Sequence, residues 1–186
     1  MRRELHPDCA CDYARPQLVL AIDPGPETSG WVLFDGERVV AGEPQLENHR
    51  VLQLWTTAAP YLFEHGLRST RELLVAMEWI TSYGMAVGAS VFETCFWAGR
   101  IAEALGGDDV QRIARANVKL HLCGSRRAKD TNIRQALVDR FGGVAGKRAA
   151  IGLKKSPGPL YGTRQHMWAA LAVAITAWDQ AHAPEE

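Results

Sequence analysis

The 186-residue sequence contains no long apolar run and no apolar segment near its N-terminus. The longest uncharged apolar run spans residues 167–178, whereas a helix that crosses a bilayer needs about 20 apolar residues. The opening MRRELHPDCACDYARP lacks the apolar core of a signal peptide, which predicts a cytoplasmic protein. Cysteine is also scarce: four thiols do not suggest a disulfide scaffold, and Cys9 and Cys11 have no second ligand pair at zinc-binding spacing.

Net charge is absent as well, since 21 basic residues balance 21 acidic ones. The balance conceals a strong separation, because residues 112–164 hold 13 basic and 2 acidic side chains and so carry +11. The rest of the chain carries −11. Two interpretations of the basic segment stay open, either a solvated face that pairs with the acidic part or a surface that binds a polyanion.

Short apolar runs alternate with segments of helical periodicity, which predicts an α/β protein with a mixed sheet covered by helices. The strands are predicted at 17–23, 30–34, 38–41, 73–78 and 110–114. The helices are predicted at 47–64, 87–105, 117–123, 131–141 and 164–180. The glycine-rich stretch 142–162 predicts a long mobile loop. One domain is expected over 17–182, between an N-terminal arm at 1–16 and a tail at 183–186.

Two of the predicted strands end in a carboxylate, Asp23 on the first and Glu78 on the fourth. A buried ionised carboxylate is strongly destabilising unless a cation or hydrogen-bond donors compensate it. No basic residue adjoins either acid, so a shared divalent cation is one solution, and oxygen ligands favour Mg²⁺ or Mn²⁺. A helix cap or an arginine partner for each acid is the other solution. Pro24, Gly25 and Gly30 favour a tight turn that keeps the Asp23 carboxylate accessible.

Four segments, in order, resemble the RuvC-type Holliday junction resolvases of the RNase H-like superfamily. The family's first motif resembles IDPGPETSGWVLFDG, and its second acidic motif resembles AMEW, which contains Glu78. The stretch that leads into a DNA-facing helix resembles NVKLHLCGSRRAKDTNIRQAL, and the helix with the last metal ligands resembles HMWAALAVAIT. The resemblance covers residues 17–180, and phage-encoded members are the expected nearest relatives.

The resemblance implies an RNase H-like mixed sheet, a homodimer and a metal-dependent endonuclease that cleaves Holliday junctions or other branched DNA. It implies two Mg²⁺ or Mn²⁺ ions per site, with Asp23, Glu78 and His166 as ligands. Lys119 is expected beside the reacting phosphate. The family's remaining aspartate falls on Ala169, which cannot bind a metal, so His166 completes a reduced site, another acid substitutes, or catalysis is weakened. A non-catalytic junction binder and a nuclease that acts on RNA therefore remain alternatives.

The resemblance also places DNA on the basic segment, where contacts to phosphates position a duplex without reading its sequence. Trp79 and Tyr83 follow Glu78 and are expected to stack on an unpaired base at the crossover, with core packing as the alternative for Trp79. The predicted phosphate contacts are Arg126, Arg127, Lys129, Lys147, Arg148, Lys154 and Lys155.

The predicted helix 87–105 is the expected dimer interface. Phe92, Phe96 and Trp97 lie outside its apolar stripe and are free to meet a partner. A two-fold dimer would present two identical sites to a four-way junction, which is itself approximately two-fold symmetric. The stripe predicted to face the core is Val87, Val91, Cys95, Ala98, Ala102 and Leu105.

Overall fold

The computed structural model describes residues 17–54, 73–81, 84 and 86–184. The expected N-terminal arm at 1–16 and Tyr83 lie outside these ranges. The described strands are β1 (Leu18–Asp23), β2 (Thr28–Phe34), β3 (Val39–Glu47), β4 (Leu73–Trp79), β5 (Gln111–Ala114), β6 (Gly152–Leu153) and β7 (Ser156–Pro157). The described helices are α1 (Asn48–Val51), α2 (Ala89–Leu105), α3 (Arg115–Cys123), α4 (Asp130–Gly142), α5 (Lys147–Ile151) and α6 (Met167–Ala181).

The main sheet is mixed and has the strand order β3-β2-β1-β4-β5. Strands β1 to β3 form an antiparallel meander, in which Asp23 of β1 pairs with Gly30 of β2. Strands β1, β4 and β5 run parallel, so their carboxyl ends reach the same edge of the sheet. The predicted mixed α/β architecture is confirmed.

Both faces of β1 are buried, as its uninterrupted apolar run predicts. On one face Val19 and Ala21 belong to the core that includes α6, and on the other Leu20 and Ile22 belong to the core that includes α2. Helix α6 is apolar on nearly all sides because it also contacts α3 and α4. Within the described ranges, no helix has the length and apolar character that crossing a membrane requires.

Strand β3 is longer than predicted, because it continues through Pro44 to Glu47. Proline has no backbone N–H to donate to a neighbouring strand. It is tolerated in β3 because β3 is an edge strand, and one side of an edge strand has no neighbour to pair with. The predicted helix 47–64 is therefore wrong at its start, since Glu47 ends β3 and α1 covers only Asn48–Val51. Most of the remaining prediction, from residue 55 onward, lies outside the described residues.

The glycine-rich stretch 142–162 is folded, so the prediction of a long loop is wrong. It contains a 3-10 turn (Gly143–Ala145), α5 and the β6–β7 hairpin. Leu160 N–H donates to the Ala150 carbonyl at 2.8 Å, and Val39 N–H of β3 donates to the Pro159 carbonyl at 2.9 Å. Glycine serves close backbone packing here, since a Cβ at Gly158 would lie 2.3 Å from the Ala149 carbonyl oxygen.

Only the C-terminal half of α2 packs on the sheet. The stripe predicted for this helix is wrong at Val87, which is 44% exposed, and at Cys95, which is also exposed. Phe92 and Phe96 are exposed as well. The buried residues of the helix are Ala98, Ile101, Ala102 and Leu105.

Candidate active site

Three parallel strands bring charged side chains to one edge of the sheet. Ile22 pairs with Met77 in the β1–β4 register, so Asp23 and Glu78 are the next residues at the same level. Strand β5 ends one residue before Arg115, the first residue of α3. Folding therefore places Asp23 and Glu78 side by side, with Arg115 arriving from the third strand.

Two buried polar side chains fix the turn that follows Asp23. Ser29 Oγ donates to Asn48 Oδ1 at 2.6 Å, and Asn48 Nδ2 donates to the Gly25 carbonyl at 2.9 Å. Gly25 N–H in turn donates to Ser29 Oγ at 3.4 Å. Glycine is required at this position because a Cβ would lie 2.3 Å from the Thr28 carbonyl oxygen. The network holds the turn while the Asp23 carboxylate lines an open cleft.

His166 lies beside Asp23 just before α6. Its Nδ1 is 3.3 Å from Asp23 Oδ2, and its side chain is 57% exposed. Gly30 makes room for it, since a Cβ there would lie 2.7 Å from His166 Cβ. Gln165 has a φ of 45°, which is uncommon for a residue other than glycine. Ala169 lines the same cleft with a methyl group where the resemblance implies a carboxylate.

Arg115 bridges two acids at this edge, so the alternative of an arginine partner holds for Glu78, although the sequence did not identify which arginine. One guanidinium nitrogen lies 2.5 Å from Glu78 Oε2, and the other lies 2.7 Å from Asp130 Oδ1. Asp130 is the first residue of α4, and Lys129 is its N-cap residue. A signal existed in the sequence, since Arg115 directly follows the strand predicted at 110–114.

These groups line an open cleft of about 590 Å³. Arg134 also lines it, with its guanidinium carbon 4.7 Å from the centre of the Trp168 ring.

Lys119 lies four residues beyond Arg115, on the same face of α3 but not in the cleft lining. The half-buried Trp79 packs partly against the core, and Arg112 lies 5.2 Å over its ring. Stacking of Trp79 on a base and the role of Lys119 stay predictions.

Burial disfavours the charged form of both strand-end acids, and the nearby positive charge compensates only in part. Burial raises the pKa of Glu78 to about 7, against the lowering effect of Arg115. It also raises the pKa of Asp23, against the lowering effects of Arg115 and His166. One arginine therefore does not offset the desolvation of both carboxylates, and the site favours a further positive charge.

The seven predicted phosphate contacts are all exposed. They form three groups along the chain, and the first group lies directly before Asp130, which lines the cleft. The groups are Arg126, Arg127 and Lys129 between α3 and α4, Lys147 and Arg148 on α5, and Lys154 and Lys155 in the β6–β7 turn.

No protein-family model and no curated protein matches the sequence. Solved structures do match the fold. The Thermus thermophilus RuvC structure shares 22% identity at a TM-score of 0.54, over 88% of this chain and 95% of that one. T. thermophilus RuvC in complex with Holliday junction substrate shares 22% identity at a TM-score of 0.55, over 89% and 95%. The chain has a RuvC-like fold. The predicted RNase H-like α/β class, with a mixed sheet flanked by helices, is thereby confirmed.

The resemblance described in the sequence analysis implies a metal site, and the two carboxylates at the strand ends fit one divalent cation. Asp23 and Glu78 offer carboxylate oxygens, which Mg²⁺ and Mn²⁺ prefer as ligands. A second cation has less support, since Ala169 offers no oxygen and Arg115 already binds Glu78. In the described part of the chain, no three His, Cys, Asp or Glu side chains form a ready metal cage. His166 therefore stays a predicted ligand.

The raised pKa of Glu78 predicts that stability falls as pH rises when divalent cations are absent. Between its ordinary value of 4.5 and its folded value of about 7, the folded state binds more protons than the unfolded state. Stability that is fully present below pH 4.5 is therefore lost as the pH rises through about 7. The loss is roughly 3 kcal/mol at about 1.4 kcal/mol per pKa unit. Denaturant unfolding in EDTA, from about pH 5 to about pH 8, measures it.

Glu78→Gln should flatten this pH dependence, because an amide does not titrate in this range. Glu93→Gln is the matched control, since Glu93 is exposed on α2 away from the cleft lining. The prediction fails if wild-type stability rises over this interval, or if Glu78→Gln keeps the full pH dependence.

Proposed function

We propose that the protein is a divalent-cation-dependent endonuclease that cleaves phosphodiesters in Holliday junctions or other branched DNA. The observation that carries the proposal is the pair of carboxylates, Asp23 and Glu78, side by side in an open cleft of a RuvC-like fold. One structural neighbour is RuvC in complex with Holliday junction substrate, which supports branched DNA as the substrate class. The +11 charge of residues 112–164 supports a polyanionic partner.

Each group in the cleft has a task in phosphodiester hydrolysis. Asp23 and Glu78, assisted by His166, would hold the cation, which supplies Lewis-acid polarisation of the phosphate and an activated water. The exposed His166 ring lies beside Asp23, with its Nδ1 at 3.3 Å from Asp23 Oδ2, so an imidazole nitrogen would be available to the same cation. Arg115 and Arg134 present positive charge where negative charge develops on the phosphate.

A nicking assay on a synthetic four-way DNA junction tests the proposal. With Mg²⁺ or Mn²⁺ the expected result is paired, symmetric nicks, with none in EDTA and little cleavage of a linear duplex of the same sequence. Faster cleavage of a matched RNA or hybrid junction would indicate a nuclease that acts on RNA. A protein that binds every junction but nicks none, with either metal, would not be a nuclease.

A second candidate function is a branched-DNA-binding protein without nuclease activity. Ala169 and the Arg115–Glu78 ion pair favour it, because the first removes a metal ligand and the second occupies another. Both candidates predict tight junction binding. Only the nuclease predicts metal-dependent nicks, so the same assay separates the two.

We also propose a homodimer joined through the exposed face of α2. Phe92 is 65% exposed and Phe96 is 56% exposed, although both are large apolar side chains. Arg100 lies over the Trp97 ring at 4.7 Å and over the Phe96 ring at 5.4 Å. Aromatic side chains flanked by arginine are typical of the centre of a protein interface.

Replacing both Phe92 and Phe96 by Ser should weaken the dimer at least about 100-fold, because buried aromatic anchors carry most interface energy. Sedimentation at micromolar protein measures the effect. Val144→Ser is a matched control, since Val144 is fully exposed and lies outside α2. A wild-type protein that is monomeric both alone and on a junction would rule out the dimer.

A further inference from the structure

We infer that the cleft holds one divalent cation, and that the Arg115 guanidinium supplies the positive charge that a second cation would otherwise provide. The inference rests on the proposed function, since it concerns the same cleft. Its basis is the pair of acids that Arg115 binds, with Asp23 in the same cleft, together with the residue at position 169.

The position of Arg115 is fixed from two sides. Its guanidinium binds Glu78 on β4 and Asp130 at the start of α4, at 2.5 and 2.7 Å. The Arg115 side chain is only 26% exposed, so its guanidinium lies within the cleft wall rather than in bulk solvent. An arginine held by two carboxylates on different elements is preorganised, because little side-chain entropy remains to be removed when a phosphate arrives.

The formal charges of the cleft favour one cation over two. Asp23, Glu78 and Asp130 together contribute −3, and Arg115 and Arg134 together contribute +2, which leaves −1. One divalent cation brings the total to +1, whereas two would bring it to +3. Uncompensated charge at a partly buried site is destabilising, so the arrangement with one cation is favoured over the arrangement with two.

The available oxygens lead to the same count. Position 169 lines the cleft but carries only a methyl group, so α6 offers no carboxylate there. The Asp130 carboxylate is already bound to Arg115 and is therefore not free to complete a second set of ligands. Asp23 and Glu78 remain as the carboxylate ligands of a single ion, and Glu78 keeps its orientation through Arg115.

Calorimetric titration of the full-length protein with Mn²⁺ tests the ion count without reference to activity. The wild type should bind one Mn²⁺ per chain. Ala169→Asp should bind two, because it adds a carboxylate to the cleft wall. Two ions bound to the wild type would overturn the inference. A single ion bound to Ala169→Asp would overturn it as well.

Cleavage of a four-way junction at saturating Mn²⁺ tests the role of Arg115. Arg115→Gln should lower the rate about 100-fold while it leaves junction affinity within a factor of about three. Arg115→Lys should recover part of the rate, because lysine keeps the charge but cannot bridge both carboxylates as the guanidinium does. Arg38→Gln is the control, since Arg38 is exposed, lies outside the basic segment and the cleft lining, and should behave as wild type.

An unchanged or faster rate for Arg115→Gln would overturn the inference, since the arginine would then be dispensable or inhibitory. The two proposals fail in different ways. A wild type that binds one Mn²⁺ but never nicks supports the ion count and contradicts the nuclease. A wild type that binds no Mn²⁺ contradicts both.

Discussion

Asp23→Asn is expected to lower the cleavage rate of a four-way junction about 10³-fold with Mg²⁺ or Mn²⁺ supplied, and to leave junction affinity within a factor of about three. The reason is that an amide is a poor ligand for a hard cation, while the phosphate contacts lie on other residues. The variant should fold at least as stably as the wild type. Burial raises the pKa of Asp23, so the charged carboxylate is disfavoured in the folded state and a neutral amide of similar shape is tolerated.

Single-turnover cleavage, junction binding and thermal unfolding of the same samples measure these effects. Glu78→Gln should behave like Asp23→Asn, since the two acids share the cleft. Glu93→Gln should keep wild-type rates, because Glu93 is exposed on α2 and does not line the cleft. Wild-type cleavage by Asp23→Asn would mean that the reaction takes place elsewhere on the molecule.

Replacing Lys147, Arg148, Lys154 and Lys155 together by Gln is expected to weaken junction binding on the order of 100-fold near physiological salt. The four side chains are exposed on α5 and on the β6–β7 turn, so their removal should cost little stability. The slope of log affinity against log salt is negative. Removing one phosphate-binding side chain reduces its magnitude by about 0.9, so the magnitude should decrease by about 3 to 4 for the four together.

Fluorescence anisotropy with a labelled junction over a salt series measures both quantities. The double variant Arg38→Gln with Arg50→Gln is the control, because these exposed arginines lie outside the basic segment. Per charge removed, the control should change affinity and slope far less. Equal effects per charge would show that binding follows overall charge and not this surface.

The positions of Asp23 and Glu78 could be predicted because each ends an apolar run of strand length. Parallel neighbours end at the same sheet edge, so two such acids are placed together once the strands pair. The uninterrupted apolar runs of β1 and α6 are likewise typical of a central strand and a buried helix, which is what the structure shows. These features depend on hydrophobic pattern, which a single sequence shows directly.

Arg115 could not be recognised in the same way, because its partners are 37 residues before it and 15 residues after it. Its importance depends on which strands are adjacent, and adjacency is a tertiary property. The prediction of a loop at 142–162 was wrong for another reason. Its glycines suggest a flexible backbone, but glycine there permits close backbone packing, as at Gly158. Pro44 likewise suggests a strand end unless the strand is known to lie at the edge.

Anomalous diffraction from crystals soaked in Mn²⁺ is the most direct test of the claim that Asp23 and Glu78 together hold a catalytic cation. The account predicts one strong peak within bonding distance of oxygens from both carboxylates, with Arg115 beside it. No peak at saturating Mn²⁺, with Glu78 still bound only to Arg115, would contradict the claim, as would manganese bound solely at other side chains.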